Sequence, residues 1–216
     1  MTKSEKAALV LDILASEFPG AATALEFTNP LELLVGTILS AQATDKLVNR
    51  VTAGLFKKYR SAEDFARVPL EELAEDLSSV NFYRNKSRSI KNCARMLVED
   101  FGGRVPSTLE ELTRLPGVGR KTANIVLGNA YGIPALAVDT HVKRVAGRLG
   151  LTGETDPDRI ETDLTAIIPE ARWTLTTHLL ILHGRKTCVA RKPKCDICPV
   201  ARYCDYYKAL SRESGR

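Results

Sequence analysis

The chain has 216 residues, 44% hydrophobic and 26% charged, with 31 lysines and arginines against 26 acids. That length can bury a core without disulfides or a partner, and no low-complexity segment interrupts it. A pI near 9.0 keeps the chain cationic at neutral pH, which suits a polyanionic partner but also ordinary solubility charge. At the N-terminus, the apolar stretch over residues 7–15 is broken by Asp12. It matches neither a secretion signal nor a membrane span, so an intracellular protein without a membrane partner is expected.

Apolar residues then recur at helical spacing: Leu9, Val10, Ile13 and Leu14, then Leu33, Leu34, Thr37, Ile38 and Ala41, then Ile90, Cys93, Ala94 and Leu97. The pattern predicts an all-α chain of about ten helices. Pro30 opens one helix, Ser61-Ala62-Glu63-Asp64 and Ser107-Thr108-Leu109-Glu110-Glu111 each offer a hydroxyl cap followed by a carboxylate, and Phe101-Gly102-Gly103 and Gly132-Ile133-Pro134 mark breaks. Leu70-Glu71-Glu72-Leu73 and Leu109-Glu110-Glu111-Leu112 each precede a turn and a basic helix, which predicts two stacked helix-turn-helix pairs. The final dozen residues carry too little apolar content to pack and are expected to fray.

Between two helical segments lies Leu115-Pro116-Gly117-Val118-Gly119-Arg120-Lys121. Gly117 and Gly119 permit a tight turn with exposed amides, and the next helix begins at once. Unpaired N–H groups and the positive helix end therefore face one place, a site for phosphate that Arg120 reinforces. A tight connection with no ligand is the alternative.

Four of the five cysteines, Cys188, Cys195, Cys198 and Cys204, stand with six, two and five residues between them. Without a secretion signal, metal binding is the leading reading. Four thiolates on one loop can ligate a 4Fe-4S cube; zinc is the alternative, although structural zinc more often uses two close pairs. Cys93 reads as a buried small hydrophobe. Arg191, Lys192 and Lys194 lie between the first two cysteines, a second phosphate contact or simply a solvated surface. No chemistry is assigned to His178 or His183.

Taken together, the 115–121 segment, Ser40-Ala41-Gln42-Ala43-Thr44-Asp45, Val138-Asp139-Thr140-His141-Val142 and the cysteine loop resemble, in order, the motifs of the endonuclease III family of DNA glycosylases. The resemblance spans roughly residues 30–205. It implies two helical lobes: residues 22–134, six helices with a helix-hairpin-helix, and residues 1–21 with 135–216, an iron-sulfur lobe. It also implies a monomeric enzyme, cytoplasmic or nucleoid-associated, acting on double-stranded DNA with damaged bases or abasic sites. Lys121 is then the amine nucleophile and Asp139 its carboxylate assistant, for base removal from oxidised pyrimidines and strand cleavage at abasic sites. Gln42 and Phe82 would fill the gap left by an extruded base, and His141 would contact DNA.

Two departures are visible. Phe82 stands where the family usually has leucine, and Thr113 where many members have an acid. A monofunctional adenine glycosylase of the same superfamily is disfavoured, since those relatives lack the lysine and carry a further C-terminal domain. A DNA-binding module without catalysis would use Lys121 only as a cation.

Overall fold

A computed structural model of the chain describes residues 1–214. Twelve α-helices occur among them: α1 (Lys3–Glu17), α2 (Pro30–Ser40), α3 (Asp45–Lys58), α4 (Ala62–Arg67), α5 (Leu70–Asp76), α6 (Tyr83–Phe101), α7 (Leu109–Arg114), α8 (Arg120–Ala130), α9 (Thr140–Leu149), α10 (Pro157–Ile167), α11 (Trp173–Lys186) and α12 (Asp205–Ser214). No strand occurs among the described residues, so the all-α expectation holds. The helices outnumber the expected ten because α4, α5 and α7 have only six, seven and six residues, too short to show a period. No described helix is long and apolar enough to cross a membrane.

The helices group into two compact units, Thr23–Ile133 and a second made of Met1–Ala22 with the chain from Pro134 onward. The first unit holds α2 to α8, seven helices where six are expected, because Val68-Pro69 parts α4 from α5 and proline cannot continue a helix. Its centre is α2, where Leu33, Leu34, Val35, Ile38 and Leu39 are all buried. Pro30 stands in the first turn and the Asn29 side chain accepts from the Glu32 N–H. Around α2 pack α3, α6 and α8, while α4 and α5 pack on α6. The two expected helix-turn-helix pairs form, α5 against α6 and α7 against α8, and both basic helices also pack on α2.

In the second unit, Val10, Leu11, Leu14, Val142, Val145, Leu149, Ile160, Leu164, Leu179 and Leu180 form one core. α11 packs against α9 and α1, and α12 against α9. The C-terminus departs from expectation: residues 205–214 are helical, and Tyr206 and Tyr207 pack against that core. Tyrosine supplies apolar area that a count of aliphatic residues overlooks. The buried Lys6 ammonium also donates to Asp205 at 2.8 Å and to the Leu149 carbonyl at 2.5 Å, fastening α12 to the ends of α1 and α9. Gly215 and Arg216, which close the segment expected to fray, lie outside the described residues.

Candidate functional site

In the Thr23–Ile133 unit, residues 115–119 turn the chain from α7 into α8. Leu115 and Val118 are buried, and the Val118 N–H donates to the Leu115 carbonyl at 3.0 Å, so the apolar side of the turn is fixed. Gly117 sits at φ +81°, where an added Cβ would lie 2.8 Å from the Ser89 Cβ. Gly119 is the N-cap of α8 with no side-chain cap, and nothing lies within 4 Å of where its Cβ would point. The first amides of this eleven-residue helix therefore have no side-chain cap. Arg120 and Lys121 follow, both exposed. The Lys121 ammonium makes no hydrogen bond or ion pair among the described residues.

The two glycines should separate in a denaturation experiment. Gly117→Ala forces alanine into the left-handed region against Ser89 and is expected to cost about 2 kcal/mol or more in urea unfolding. Gly119→Ala, at φ −93° with open space, should stay within about 0.5 kcal/mol of the parent. Equal losses would contradict the assigned turn geometry.

Gln42 lies between α2 and α3 and Phe82 caps the start of α6. Both have left-handed backbones, at φ +56° and +57°. Phe82 is 62% exposed, so it is not a core-packing residue, and Gln42 is exposed too. The Asn81 side-chain amide donates to the Gln42 carbonyl at 3.2 Å, which joins the two segments. Thr113 is exposed, its hydroxyl donating to the carbonyls of Leu109 and Glu110 at 2.8 and 3.0 Å.

In the second unit, Asp139 is the N-cap of α9, its carboxylate accepting from the Val142 N–H at 2.7 Å. His141 is partly buried, with Nδ1 3.1 Å from Arg144 Nη2. Arg144 also donates to the Gly184 and Cys188 carbonyls at 2.9 and 3.1 Å, so the start of α9 is tied to the cysteine loop.

Cys188, Cys195, Cys198 and Cys204 line a single space, with Val200, Tyr206 and Tyr207 on its walls. Burial first, and then neighbouring thiols, push Cys195, Cys198 and Cys204 up. Four thiolates brought together without a cation would repel one another, and iron removes that cost. Among the described residues no three His, Cys, Asp or Glu groups converge as a single metal ion requires.

Two residues around this space escape sequence reasoning. Arg148 donates to Cys188 Sγ at 3.4 Å and to the Val189 and Ala190 carbonyls at 2.8 and 2.9 Å, with its guanidinium 4.7 Å above the Tyr206 ring. His183, 1% exposed, stands with Nε2 3.7 Å from Cys198 Sγ. Burial pushes its imidazole down to about 4, and its Nδ1 has no hydrogen-bond partner among the described residues. Their spacing from the cysteines in the chain carries no signal, because the fold alone brings them there. Arg191, Lys192 and Lys194 are exposed, and none of the three forms an ion pair among the described residues.

Comparison with known proteins places these features in context. Residues 35–170 match the model of the HhH-GPD superfamily base excision DNA repair proteins. Residues 188–204 match the iron-sulfur binding domain of endonuclease III. The endonuclease III of Bacillus subtilis is 49% identical over 195 residues, covering 90% of this chain and 89% of that protein. The Escherichia coli endonuclease III is 39% identical over 197 residues, covering 91% and 93%. Among solved structures, a non-covalent endonuclease III–DNA complex superimposes with a TM-score of 0.92 at 46% identity, covering 98% of this chain and 100% of that one. A trapped endonuclease III–DNA covalent intermediate gives the same values.

Proposed function

Because the chain belongs to the endonuclease III family of base excision DNA repair proteins, we propose that it removes oxidised pyrimidines from duplex DNA and then cuts the strand at the abasic site. The observation that carries this reading is the exposed, unpartnered Lys121 amine one residue past an uncapped helix start. In this reading the Lys121 Nζ lone pair attacks the deoxyribose C1′, the glycosidic bond breaks, and the base leaves with its electron pair and a proton. Ring opening gives a Schiff base. Loss of a C2′ proton then expels the 3′ phosphate, and water releases the amine. Asp139 stabilises positive charge developing on the sugar and assists the proton transfers. The N-cap bond to Val142 fixes its carboxylate on a rigid helix start.

The amides at Gly117 and Gly119 with Arg120, then His141, and then the loop cations Arg191, Lys192 and Lys194 take the DNA backbone of a single protein monomer. Gln42 and Phe82 fill the space vacated by the everted nucleotide. An amide can serve whichever hydrogen-bonding edge is orphaned, and an exposed aromatic can stack between base pairs.

The chain carries a 4Fe-4S cluster, for which Cys188, Cys195, Cys198 and Cys204 are the ligands in this reading. The cluster would cross-link the loop between α11 and α12 and hold its cations in place. Glycosidic cleavage and lysine chemistry transfer no net electrons, so the group's role here is structural.

Duplexes that each hold one lesion test the assignment by comparing base release with strand scission. Oxidised pyrimidines should be released and the strand cut in the same reaction, with binding weakening as salt rises at about −0.9 in log–log slope per phosphate neutralised. Base release without scission, or release of mispaired adenine instead, would overturn it.

A further inference from the structure

Lys86 is a lysine in the first turn of α6, yet it is only 7% exposed. Its ammonium donates to two backbone carbonyls at the end of α2, Leu39 at 2.8 Å and Ala41 at 2.6 Å. No ion pair to an acid accompanies these bonds among the described residues, and burial alone pulls the ammonium down. Burying a cation without a counter-charge is costly, and an apolar side chain would fill the same volume. The charge is therefore held by the carbonyls it bonds, and its effect passes through the segment that carries them.

The carbonyls it holds lie immediately before Gln42. On its other side, the Lys86 backbone N–H donates to the Phe82 carbonyl at 3.1 Å. The Lys86 side chain thus grips the segment leading into Gln42, and the first main-chain bond of α6, which any residue here would make, joins Lys86 to Phe82. Asn81 completes the bracket by donating to the Gln42 carbonyl. Both gripped residues have left-handed backbones, which for non-glycine residues cost about 1 kcal/mol or more each and persist only where surroundings hold them. A negative helix end at α2 supplies further attraction for the ammonium.

We propose that Lys86 is a positioning residue that locks the Gln42 and Phe82 segments to each other, so that both enter the duplex as one rigid wedge. This rests on the reading of Gln42 and Phe82 as wedge residues. Base extrusion then depends on Lys86, although it touches no DNA.

An internal control exists on the same helix. Lys91 is 8% exposed and donates to the carbonyls of Ala66 and Val68 at the end of α4, a like arrangement with neither Gln42 nor Phe82 among its partners. The test compares Lys86→Met and Lys91→Met, which keep the buried stem, together with Asn81→Ala at an exposed position. The readouts are melting temperature, the fluorescence of 2-aminopurine stacked beside a non-cleavable abasic analogue in duplex DNA, and borohydride trapping on single-stranded abasic DNA, which needs no extrusion.

Lys86→Met is expected to lower the fluorescence response at least about tenfold while trapping on the single strand changes less than about twofold. Lys91→Met should lose similar thermal stability and keep the full response. Should Lys86→Met fail to fold, Asn81→Ala carries the test and should show a smaller loss in the same direction, about threefold. An unchanged response in the folded variant, or equal losses in Lys86→Met and Lys91→Met, would overturn the proposal. Gln42→Ala and Phe82→Ala tell its failure from that of its premise. If they abolish extrusion while Lys86→Met does not, only the lock is wrong; if neither affects extrusion, the wedge reading falls and the lock with it.

Discussion

Lys121→Gln should abolish the covalent adduct that borohydride forms between the protein and abasic DNA, and lower strand cleavage at least about 10³-fold, equivalent to about 4 kcal/mol of barrier. Glutamine is one atom shorter and still hydrogen-bonds, but its amide nitrogen is no nucleophile toward C1′. Stability should hardly change. The Lys121 side chain is exposed and makes no hydrogen bond or ion pair among the described residues, so the substitution should remain within about 0.5 kcal/mol in urea unfolding. Affinity for an abasic duplex should fall only by the share of one cation, seen as a salt slope shallower by about one. That pattern, chemistry lost with fold and most binding kept, is what an amine nucleophile predicts. A lysine serving only as a phosphate contact predicts the reverse: weaker binding, and no adduct even from the parent protein. A strong adduct in Lys121→Gln would move the nucleophile to another amine.

The contrast between Lys121 and Lys86 shows what a chain can disclose before it is folded. The turn into α8 is legible because proline and glycine act locally: Gly117 adopts the left-handed backbone that its sequence context suggests, and the helix begins where a side-chain cap is missing. The cysteine group is legible for the same reason, since one short loop holds all four thiols. Lys6, Lys86 and Lys91 are not legible. Lysine is ordinarily a surface residue, and each of these three is buried only because a distant helix end presents carbonyls to it, Leu149 to Lys6, Leu39 and Ala41 to Lys86, Ala66 and Val68 to Lys91.

The same distinction explains α12. Its aliphatic content predicts fraying, but Tyr206 and Tyr207 find a core, and Arg148 and Lys6 supply a cation over a ring and an ion pair. None of these partners is near in sequence. Periodicity likewise identifies helices of three turns or more and passes over α4 and α7, whose starts depend on the Ser61 and Thr108 hydroxyls accepting from the Asp64 and Glu111 N–H groups. Phe82 illustrates the limit most sharply: its composition allows either core or wedge, and only its 62% exposure decides against the core.

Cys198→Ser is expected to give a colourless protein whose second unit loses at least about 4 kcal/mol, the range reached when a metal site is lost. For a chain of this length that lowers the melting temperature by about 8–16 °C. The loop explains the size of the effect. Between α11 and α12 it forms only two short 3₁₀ turns, Cys195–Ile197 and Ala201–Tyr203, and apart from its cysteines it buries little apolar area beyond Val200. Its order must therefore come largely from cross-linking at the thiols, with the bonds of Arg144 to Cys188 and of Arg148 to Val189 and Ala190. Serine offers a weak, hard oxygen ligand in place of a soft thiolate, and the three remaining thiols cannot close the loop around a cube. Loss of order should spread to Tyr206 and Tyr207, which line the same space, and from there to α12 and α9. The Thr23–Ile133 unit keeps its own core around α2, so hydrogen exchange should show protection lost in α9 and α12 while the buried amides of α2 stay protected. A brown, fully stable Cys198→Ser protein would show that Cys198 is not a ligand, and a colourless variant with unchanged melting and activity would show that the cluster does not hold this unit together.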